Sequence, residues 1–348
     1  MKMMRFGIIG CGMISSWHVK AIAANADKGA VLTGVTDSNI NLSRKLGIET
    51  GARVFDHAEK LICDANIDVV CICTPSGLHA ALATAAVLAG KHIVVEKPMS
   101  LTVADGKKLI AACDKTGVKS AIISQLRFTE NVKAVKKAIT EERLGKLVYG
   151  AADMKYYRSQ EYYDRGSWRG TKEMDGGGAL MNQGIHGVDL LQYLMGGVRS
   201  IFARAKTLIR KIEVEDTLTA VIEFGNGALG SITATTSVSP GFNRKTEICG
   251  EYGSIILDED AIAVWNVKDY PLPEGLRLGQ PVGNTSSDPS AFGERGHTLQ
   301  IADLIDAVRE NRPALTDCRE GLKPVEIIAA AYESAEKRKE IILNGKDS

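Results

Sequence analysis

Hydrophobic residues in the first third of the chain form short apolar runs that alternate with helix-like segments. The runs lie at residues 4–9, 31–36, 69–74 and 92–95. Helices are predicted at residues 15–25 and, in an alanine-rich segment, at residues 79–89. Strands that alternate with helices in this way are typical of a parallel, doubly wound sheet.

The pattern changes in the second half, where apolar and small polar residues alternate. The strand-like segments are residues 147–157, 200–209, 217–224 and 229–238. Gly225-Asn226-Gly227 separates the last two and is a strong hairpin signal. The small polar residues expected to share one sheet face are Thr217, Thr219, Ser231, Thr233 and Thr235. Residues 324–342 predict a structural amphipathic helix with a Lys/Glu-rich end.

Length and composition are those of an ordinary globular protein. The 348 residues are enough for two domains with separate cores, and 45% are hydrophobic and 24% charged. A formal net charge of +1 gives no reason to expect nucleic acid or an anionic membrane as the main partner. No apolar run approaches the roughly 20 residues of a membrane span. The glycine-broken start, MKMMRFGIIGCG, does not read as a signal peptide, so we expect a cytoplasmic protein.

Cysteine usage fits reduced thiols. The chain has seven cysteines, an odd number, in mostly apolar surroundings, which predicts buried free thiols. Cys71 and Cys73 are expected to share one face of a strand, but no second Cys or His cluster completes a zinc spacing. We therefore predict no metal.

A glycine-rich loop follows the first predicted strand. It reads Gly10-Cys11-Gly12-Met13-Ile14-Ser15, which is G-x-G-x-x-G with serine in the third place. Gly10 would permit a tight turn, and Gly12 would let a pyrophosphate approach the backbone near Met13 and Ile14. The next helix would present its free N–H groups and positive dipole end to the phosphates. Alone the motif is weak, and the second strand strengthens it.

Asp37 ends that second strand, at the spacing where an acid binds the adenosine ribose hydroxyls. Its charge would repel a 2′-phosphate, so NAD(H) is favoured over NADP(H). Arg44 is the residue that could reverse this preference. The alternative is that Asp37 is a simple turn residue.

Two further loops follow strands at the carboxyl edge of the predicted sheet, where such folds bind ligands. One contains Thr74 and Pro75, and the other is Glu96-Lys97-Pro98. A lysine at that edge would point its ammonium group into the cofactor cleft. A surface lysine at a strand end is the alternative.

Residues 176–189, GGGALMNQGIHGVD, are hard to explain by structure alone. Asn182, His186 and Asp189 are spaced to share one helical face. Gly184 and Gly187 would each weaken a helix by roughly 0.5–1 kcal/mol relative to alanine. We interpret this loss of stability as the mark of a site that something approaches closely. A hydrogen-bonded structural histidine is the alternative.

Together these motifs resemble the Gfo/Idh/MocA oxidoreductase family over nearly the whole chain. The resemblance implies a Rossmann domain, residues 1–125, and an α/β domain with a large, mostly antiparallel open sheet, residues 126–348. It leaves open whether the C-terminal helix packs back on the first domain. It also implies NAD(P)-dependent oxidation or reduction of a sugar, nucleotide-sugar or cyclitol hydroxyl. The expected cofactor residues are Gly10, Gly12, Met13, Ile14, Asp37, Thr74, Pro75, His79, Glu96 and Lys97.

Lys97 and His186 carry the expected chemistry. Imidazole suits a base that removes a hydroxyl proton, and Lys97 would stabilise the alkoxide or relay that proton. Asn182 stands where many relatives have aspartate, so it should orient substrate or Lys97 rather than titrate. Asp189 would either fix the tautomer of His186 or serve packing.

The segment at residues 156–170 looks most like that of pyranoside and nucleotide-sugar 3-dehydrogenases. Arg158, Trp168 and Arg169 in it are candidates for contact with a carboxylate or phosphate on a sugar, with solvated surface as the alternative. We also expect a homodimer or homotetramer through the open sheet face. Residues 270–296 are expected to be a mobile segment near the site or an intersubunit arm. The rival hypothesis is a dinucleotide-binding regulator or sensor without chemistry.

Overall fold

The structure is a computed structural model that describes residues 3–166, 168–279 and 295–343. The chain divides into two compact units. The first comprises Met1–Gln125 and Glu294–Leu322, and the second comprises Leu126–Gly293 and Lys323–Ser348. The division at residue 125 coincides with the predicted one. Residues 280–294, in the segment expected to be mobile or an arm, lie outside the described residues.

The first unit is built on a parallel sheet of six strands in the order β3-β2-β1-β4-β5-β6. The strands are β1 (Met4–Ile9), β2 (Ala30–Thr36), β3 (Arg53–Val54), β4 (Val69–Ile72), β5 (His92–Val95) and β6 (Ser120–Ile122). Because all six run the same way, the loops after β1, β2, β4 and β5 lie at one edge. The order reverses direction beside β1, which is the switch point where doubly wound folds bind ligands.

Six of the described α-helices lie entirely within the first unit. They are α1 (Ser15–Ala23), α2 (Ile40–Thr50), α3 (Ala58–Cys63), α4 (His79–Leu88), α5 (Val103–Thr116) and, numbered later in the chain, α9 (Arg295–Glu310). A seventh, α10 (Cys318–Lys337), begins in this unit and ends in the second. It starts earlier than predicted, with Pro324 inside it, and Ile341–Ile342 form a strand instead of its last turn.

The second domain at residues 126–348 stays a prediction, and within that range Glu294–Leu322 group with the first compact unit. Helix α9 belongs to the first unit because its apolar face, including Ile301 and Leu304, joins the core beneath the parallel sheet. Polar contacts add to this packing: Asn25 donates to the Thr298 carbonyl at 3.0 Å, and Lys28 pairs with Asp306. An amphipathic pattern shows that a helix has a buried face but not which core receives it.

The second unit contains a sheet of eight strands in the order β13-β12-β11-β7-β10-β9-β8-β14. They are β7 (Leu147–Lys155), β8 (Val198–Lys206), β9 (Thr217–Phe224), β10 (Leu229–Thr235), β11 (Lys245–Gly250), β12 (Gly253–Asp258), β13 (Ala261–Val267) and β14 (Ile341–Ile342). All neighbours are antiparallel except β7 and β10. The predicted fold class is thus confirmed.

Helices cover one face of this sheet. They are α6 (Glu130–Thr140), α8 (Ile185–Met195) and the end of α10, whose apolar residues join the core of this unit, whereas α7 (Gln160–Asp164) lies after β7 in the chain. Leu190, Leu191 and Leu194 of α8 are fully buried in the core of this unit. On the other face, Thr219 pairs with Thr233 and Val221 with Ser231, as the alternating pattern predicts. No helix in the described part of the chain has both the length and the hydropathy of a membrane span.

Candidate active site

The glycine-rich loop after β1 has the geometry of a phosphate cradle. Gly10 has φ +95°, and a Cβ there would lie 2.6 Å from the Cys73 carbonyl oxygen, so only glycine fits without strain. A Cβ on Gly12 would meet nothing within 4 Å. The missing side chain therefore leaves open space beside the backbone, which suits the approach of a pyrophosphate.

Helix α1 begins directly at this loop. No side chain caps it at Ile14, and the Ser15 hydroxyl donates to the Gly12 carbonyl at 2.7 Å. Serine thus closes the turn from within, so the third glycine of the motif is dispensable here. Met13 is 74% exposed at the helix start. An uncapped helix N-terminus behind an open glycine is an anion-binding arrangement, so this loop fits the phosphates of a dinucleotide.

Asp37 connects two loops at the same sheet edge. One carboxylate oxygen accepts from the backbone N–H of Cys11, and the other from that of Asn39, both at 2.7 Å. Each carboxylate oxygen has a second lone pair, so these bonds leave acceptor capacity for ribose hydroxyls. Arg44 is exposed on α2. Asp37 therefore has a structural partner and the position expected of a ribose ligand.

His79 is buried and braces two loops. Its Nδ1 lies 2.7 Å from the Pro98 carbonyl oxygen, and its Nε2 lies 2.8 Å from the Thr74 carbonyl oxygen. Burial lowers the pKa of His79 although both carbonyl contacts and the Glu96 charge oppose this. We therefore interpret His79, predicted to bind cofactor, as a residue that positions the loops containing Thr74, Pro75 and Lys97.

Glu96 and Lys97 follow β5 at the carboxyl edge but lie in different surroundings. Lys97 is half-buried, whereas Glu96 is buried and its Oε1 faces two imidazoles. Nε2 of His18 lies 2.9 Å from that oxygen and Nε2 of His297 lies 3.3 Å from it. The other carboxylate oxygen accepts the Lys97 backbone N–H at 3.3 Å. Glu96 was predicted to contact the cofactor, but the hydrogen bonds of its carboxylate shown here are to His18, His297 and the Lys97 backbone.

This histidine–glutamate cluster is the one group among the described residues that offers three potential metal ligands within 4.8 Å of one another. Ligating histidines normally donate their second ring N–H to a fixed acceptor. Nδ1 of His18 and Nδ1 of His297 are both buried without a hydrogen-bond partner. The arrangement is therefore that of hydrogen-bonded side chains, and the absence of a metal stays a prediction.

In the second unit, the glycine run leads into a π-helix, Ala179–Gly184, that continues as α8. Glu215 holds its start. The carboxylate accepts the N–H groups of Gly178 and Leu180, and the Glu215 carbonyl accepts that of Ala179, each at 2.9 Å. The Tyr332 hydroxyl donates to the same carboxylate at 2.9 Å. π-Helical turns are rare and frequent at functional sites, and here a buried acid fixes one.

The glycines of this segment are required by the protein itself. A Cβ on Gly177 would lie 2.2 Å from the Tyr332 hydroxyl, and one on Gly187 would lie 2.2 Å from the Met154 sulfur. A Cβ on Gly178 would overlap the Glu215 carbonyl. Neighbouring side chains and backbone therefore approach Gly177, Gly178 and Gly187 closely, and approach by a substrate stays a prediction.

Asn182 lies in a chain of side-chain hydrogen bonds. Its Nδ2 donates to Asp175, and its Oδ1 accepts from Gln183 at 2.9 Å. Gln183 in turn accepts from Arg158 at 2.9 Å and donates to the Tyr162 hydroxyl at 3.0 Å. The amide of Asn182 is thus held in a fixed orientation, as a positioning role requires.

Arg158 is buried rather than solvated, and Trp168 and Arg169 are half-buried. The Arg169 guanidinium lies 4.7 Å from the Tyr162 ring centroid and 5.2 Å from that of Trp168. Its Nε is buried without a hydrogen-bond partner. A cation that lies against two aromatic rings and has an unsatisfied donor is suited to an anionic ligand.

His186 is the second residue of α8 and is buried, three residues before Asp189. Both oxygens of the Asp189 carboxylate accept from the Arg127 guanidinium, one at 3.0 Å from Nε. This buried ion pair supports packing as the role of Asp189, the second of the two expectations.

Sequence reasoning missed several residues that hold the candidate segments in place: His18 and His297 in the first unit, and Asp175, Gln183 and Glu215 in the second. Most are separated from their partners by tens of residues, so no local spacing marks them. Glu215 gave one signal, because it forms an acidic pair with Asp216 directly before a predicted strand. Buried acids at strand starts need donors, and here the donors are backbone N–H groups of distant turns.

Comparison with known families agrees with this geometry. Residues 4–123 match the model described as oxidoreductase family, NAD-binding Rossmann fold, and residues 136–343 match that family's C-terminal alpha/beta domain. The chain belongs to the Gfo/Idh/MocA oxidoreductase family. The resemblance drawn from the motifs is confirmed, and residues 4–123 are the NAD-binding domain of this family.

Relatives in the Gfo/Idh/MocA family include sugar and cyclitol dehydrogenases. The chain is 28% identical to the levoglucosan dehydrogenase of Pseudarthrobacter phenanthrenivorans, covering 97% of each. It is 30% identical to the myo-inositol 2-dehydrogenase of Thermotoga maritima over 73% of this chain and 75% of that one. The chain is therefore an oxidoreductase of the sugar and cyclitol dehydrogenase type.

Among solved structures, the WlbA dehydrogenase from Bordetella pertussis, in complex with NADH and UDP-GlcNAcA, is similar. It has a TM-score of 0.89 and 36% identity, with 99% of this chain and 100% of that chain covered. The WlbA dehydrogenase from Chromobacterium violaceum, solved with the same ligands, has a TM-score of 0.89 and 34% identity. It covers 99% of this chain and 97% of its own.

Proposed function

We propose that this chain is an NAD(H)-dependent oxidoreductase acting on a secondary hydroxyl or keto group of a nucleotide sugar. The observation that carries the proposal is the shared position of Gly12 and Lys97. Gly12 follows β1 and Lys97 follows β5, so both lie at the carboxyl edge of one parallel sheet. A phosphate cradle and an amine at one edge provide a cofactor site with a charged group beside it.

NAD(H), when bound, supplies C4 of the nicotinamide as the hydride acceptor or donor. Gly12 and the start of α1 would hold its pyrophosphate, and Asp37 its adenosine ribose. The Asp37 carboxylate would repel a 2′-phosphate, which supports NAD(H) over NADP(H). His79 positions the loops that contain Thr74 and Lys97, and thereby the edge on which the nicotinamide half would rest.

The remaining chemistry is proton transfer and control of charge. In the proposed mechanism His186 accepts the hydroxyl proton of the substrate during oxidation, and Lys97 stabilises the developing alkoxide or relays that proton. In the reverse direction the same groups return the proton to the carbonyl oxygen. Asn182 cannot titrate, and the bonds to Asp175 and Gln183 support a positioning role for it.

A nucleotide sugar with a carboxylate fits the second unit best. The support is the stacked Arg169 guanidinium with its buried, unpartnered Nε, together with the similarity to WlbA structures that contain UDP-GlcNAcA. Arg158 supports the site indirectly, because it is buried and bonded to Gln183. Free sugars and cyclitols are the alternative substrates, as in the curated relatives.

We further propose a cytoplasmic homodimer or homotetramer that forms through the open face of the second sheet. Val221 on β9 and Leu229 on β10 are 61% and 62% exposed. Thr219 and Thr233 lie beside each other on the face that contains Val221. Flat β-sheet surface with exposed aliphatic side chains is suited to burial against a second copy.

A substrate panel tests the proposal. NADH absorbance is followed with a UDP-sugar that bears a carboxylate, the same UDP-sugar with a hydroxymethyl group, free sugars and inositols. We expect turnover of the carboxylate form. Arg169→Met should raise its KM by roughly tenfold to a hundredfold, since a charge-assisted contact is lost, and should spare the neutral form.

Arg165→Met is the matched control, because Arg165 is an exposed arginine at the end of the neighbouring α7. Equal effects of the two substitutions on KM would refute the proposal that Arg169 recognises a carboxylate on the substrate. Tight NADH binding without turnover of any compound in the panel would instead favour a regulator or sensor that binds dinucleotide.

A further inference from the structure

A buried cluster of three ionisable side chains lies beneath the candidate cofactor edge. Glu96 follows β5, His18 lies in the first turns of α1, and His297 is the third residue of α9. All three are nine-tenths or more buried, at 6%, 0% and 1% exposure. The two rings pack edge to face with centroids 5.4 Å apart, and both point Nε2 at one carboxylate oxygen.

The hydrogen bonds of the cluster fit an ionised Glu96. Burial favours the neutral acid, but hydrogen bonds from His18 and His297 outweigh it and hold the pKa of Glu96 well below its ordinary value. Burial lowers the pKa of His18 despite the Glu96 contact. An ionised carboxylate only accepts hydrogen bonds, so each ring donates its Nε2–H. The cluster therefore presents a buried carboxylate that accepts hydrogen bonds from two imidazole rings.

Stability alone does not account for this arrangement. A buried charge is costly unless it is fully compensated, and each unpartnered Nδ1 adds the cost of a buried polar atom without a hydrogen bond. Apolar residues of similar volume are often as stabilising as a buried ionic group. Groups that are retained at such a cost are candidates for function.

The position of the cluster points to the nicotinamide half of the cofactor. Asp37, the expected ribose ligand, follows β2 on one side of β1. A dinucleotide that crosses the switch point then extends over the carboxyl ends of β4 and β5 on the other side. Glu96 follows β5 directly, and its charge also acts on Cys73, which follows β4. The pKa of Cys73 is raised by burial first, then by Cys71 and then by Glu96.

We propose that the His18–Glu96–His297 cluster is a fixed negative charge that sets the relative affinity of this site for NAD⁺ and NADH. The inference rests on the proposed cofactor site. The oxidised ring bears a positive charge, and it loses that charge when it accepts a hydride from the substrate. A nearby carboxylate therefore stabilises NAD⁺ relative to NADH, while the Lys97 ammonium acts in the opposite direction.

The test compares the dissociation constants of both cofactor forms without substrate. NADH is titrated by its fluorescence, and NAD⁺ by displacement of NADH. Glu96→Gln keeps the shape of the side chain and removes its charge, so the affinity for NAD⁺ should fall relative to the affinity for NADH by roughly tenfold. A shift of this size is what one buried charge produces across part of a binding site. Glu96→Asp keeps the charge and should stay close to wild type.

Asp68→Asn is the matched control. Asp68 precedes β4 at the opposite edge of the same sheet, where it pairs with Arg5 at 2.7 Å. If Glu96→Gln shifts the ratio no further than Asp68→Asn does, the proposal is overturned while cofactor binding stands. If the wild type binds neither NAD⁺ nor NADH, the proposed function fails and this inference fails with it.

A second variant covers the case in which Glu96→Gln does not fold. Lys97→Met removes the positive charge at the same sheet edge, so it should raise the affinity for NAD⁺ relative to the affinity for NADH. An unchanged ratio in a folded Lys97→Met protein that still binds NADH would show that the nicotinamide does not respond to charge at this edge, and it would overturn the proposal.

Discussion

Glu215 provides the sharpest test of how the second unit holds its glycine-rich segment. The substitution Glu215→Gln keeps the shape of the side chain but replaces one acceptor oxygen with a donor. Oε1, which accepts from Leu180 N–H and the Tyr332 hydroxyl, can be retained by the amide oxygen. Oε2, which accepts from Gly178 N–H at 2.9 Å, is lost, and two donors then face each other.

The expected magnitude follows from two opposed terms. Loss of a hydrogen bond to a charged group, with the buried Gly178 N–H left unsatisfied, costs about 2–3 kcal/mol. Burial raises the pKa of Glu215 despite the hydrogen bonds that it accepts, so the ionised side chain carries a desolvation cost that glutamine avoids. We expect a net loss of about 1–2 kcal/mol in the local stability of residues 176–190.

Hydrogen exchange measures this local stability directly. A loss of about 1–2 kcal/mol corresponds to roughly fivefold to thirtyfold faster exchange in peptides from residues 176–190, with strands β11 and β12 unchanged. Glu223→Gln, a surface glutamate on β9 paired with Arg199, is the control. Unchanged exchange in Glu215→Gln, or equal changes in both variants, would refute the role assigned to Glu215.

Three further predictions follow from the same structure. Asp37→Ser should reduce the preference for NADH over NADPH by tenfold or more, because the repulsion of a 2′-phosphate is removed. Titration of both cofactors measures the ratio of their dissociation constants. An unchanged ratio would count against Asp37 as the ribose ligand. Val221→Lys should shift the mass in solution toward monomer, as measured by light scattering, whereas the exposed Lys60→Ala on α3 should not. Hydrogen bonds from backbone N–H groups lower the pKa of Asp216 although burial opposes this. The ionised Asp216 therefore stabilises the fold fully above pH 3.8, the ordinary pKa of the group, and this stabilisation is lost as the pH falls through the lowered pKa of the folded protein. Asp216→Asn should therefore destabilise by about 1–3 kcal/mol at neutral pH and converge with wild type in acid, and a pH-independent difference in denaturant unfolding would contradict this.

Local sequence patterns predict much of the first unit. The apolar runs, the turn at Gly10 and the acid at Asp37 are close in sequence to the elements that they define, so periodicity and turn chemistry predict them. Helix α9 packs with the first unit although it follows the second in the chain, and no local pattern identifies that partner. The packing of α9 on α1 depends on contacts such as Trp17 with His297, whose ring centroids lie 5.2 Å apart.

The candidate site was predicted less completely. Lys97, Asn182 and His186 were found through motifs, whereas the residues that hold them were not. Glu215 and Tyr332 are 117 positions apart in the chain but share a hydrogen bond. Glycines that looked like openings for a substrate are explained by such neighbours. Spacing reveals the residues that contact ligands in known families, but the supporting contacts emerge only from the tertiary structure.

The central claim is that this chain transfers hydride with Lys97 and His186 managing the proton and the alkoxide. The most direct measurement is single-turnover hydride transfer in wild type, Lys97→Ala and His186→Ala, each saturated with cofactor and a carboxylate-bearing UDP-sugar. His57→Ala, an exposed histidine, is the control. The account predicts that both site variants bind NADH normally but lose at least about a hundredfold in the transfer rate. Transfer at the wild-type rate in both variants would contradict it.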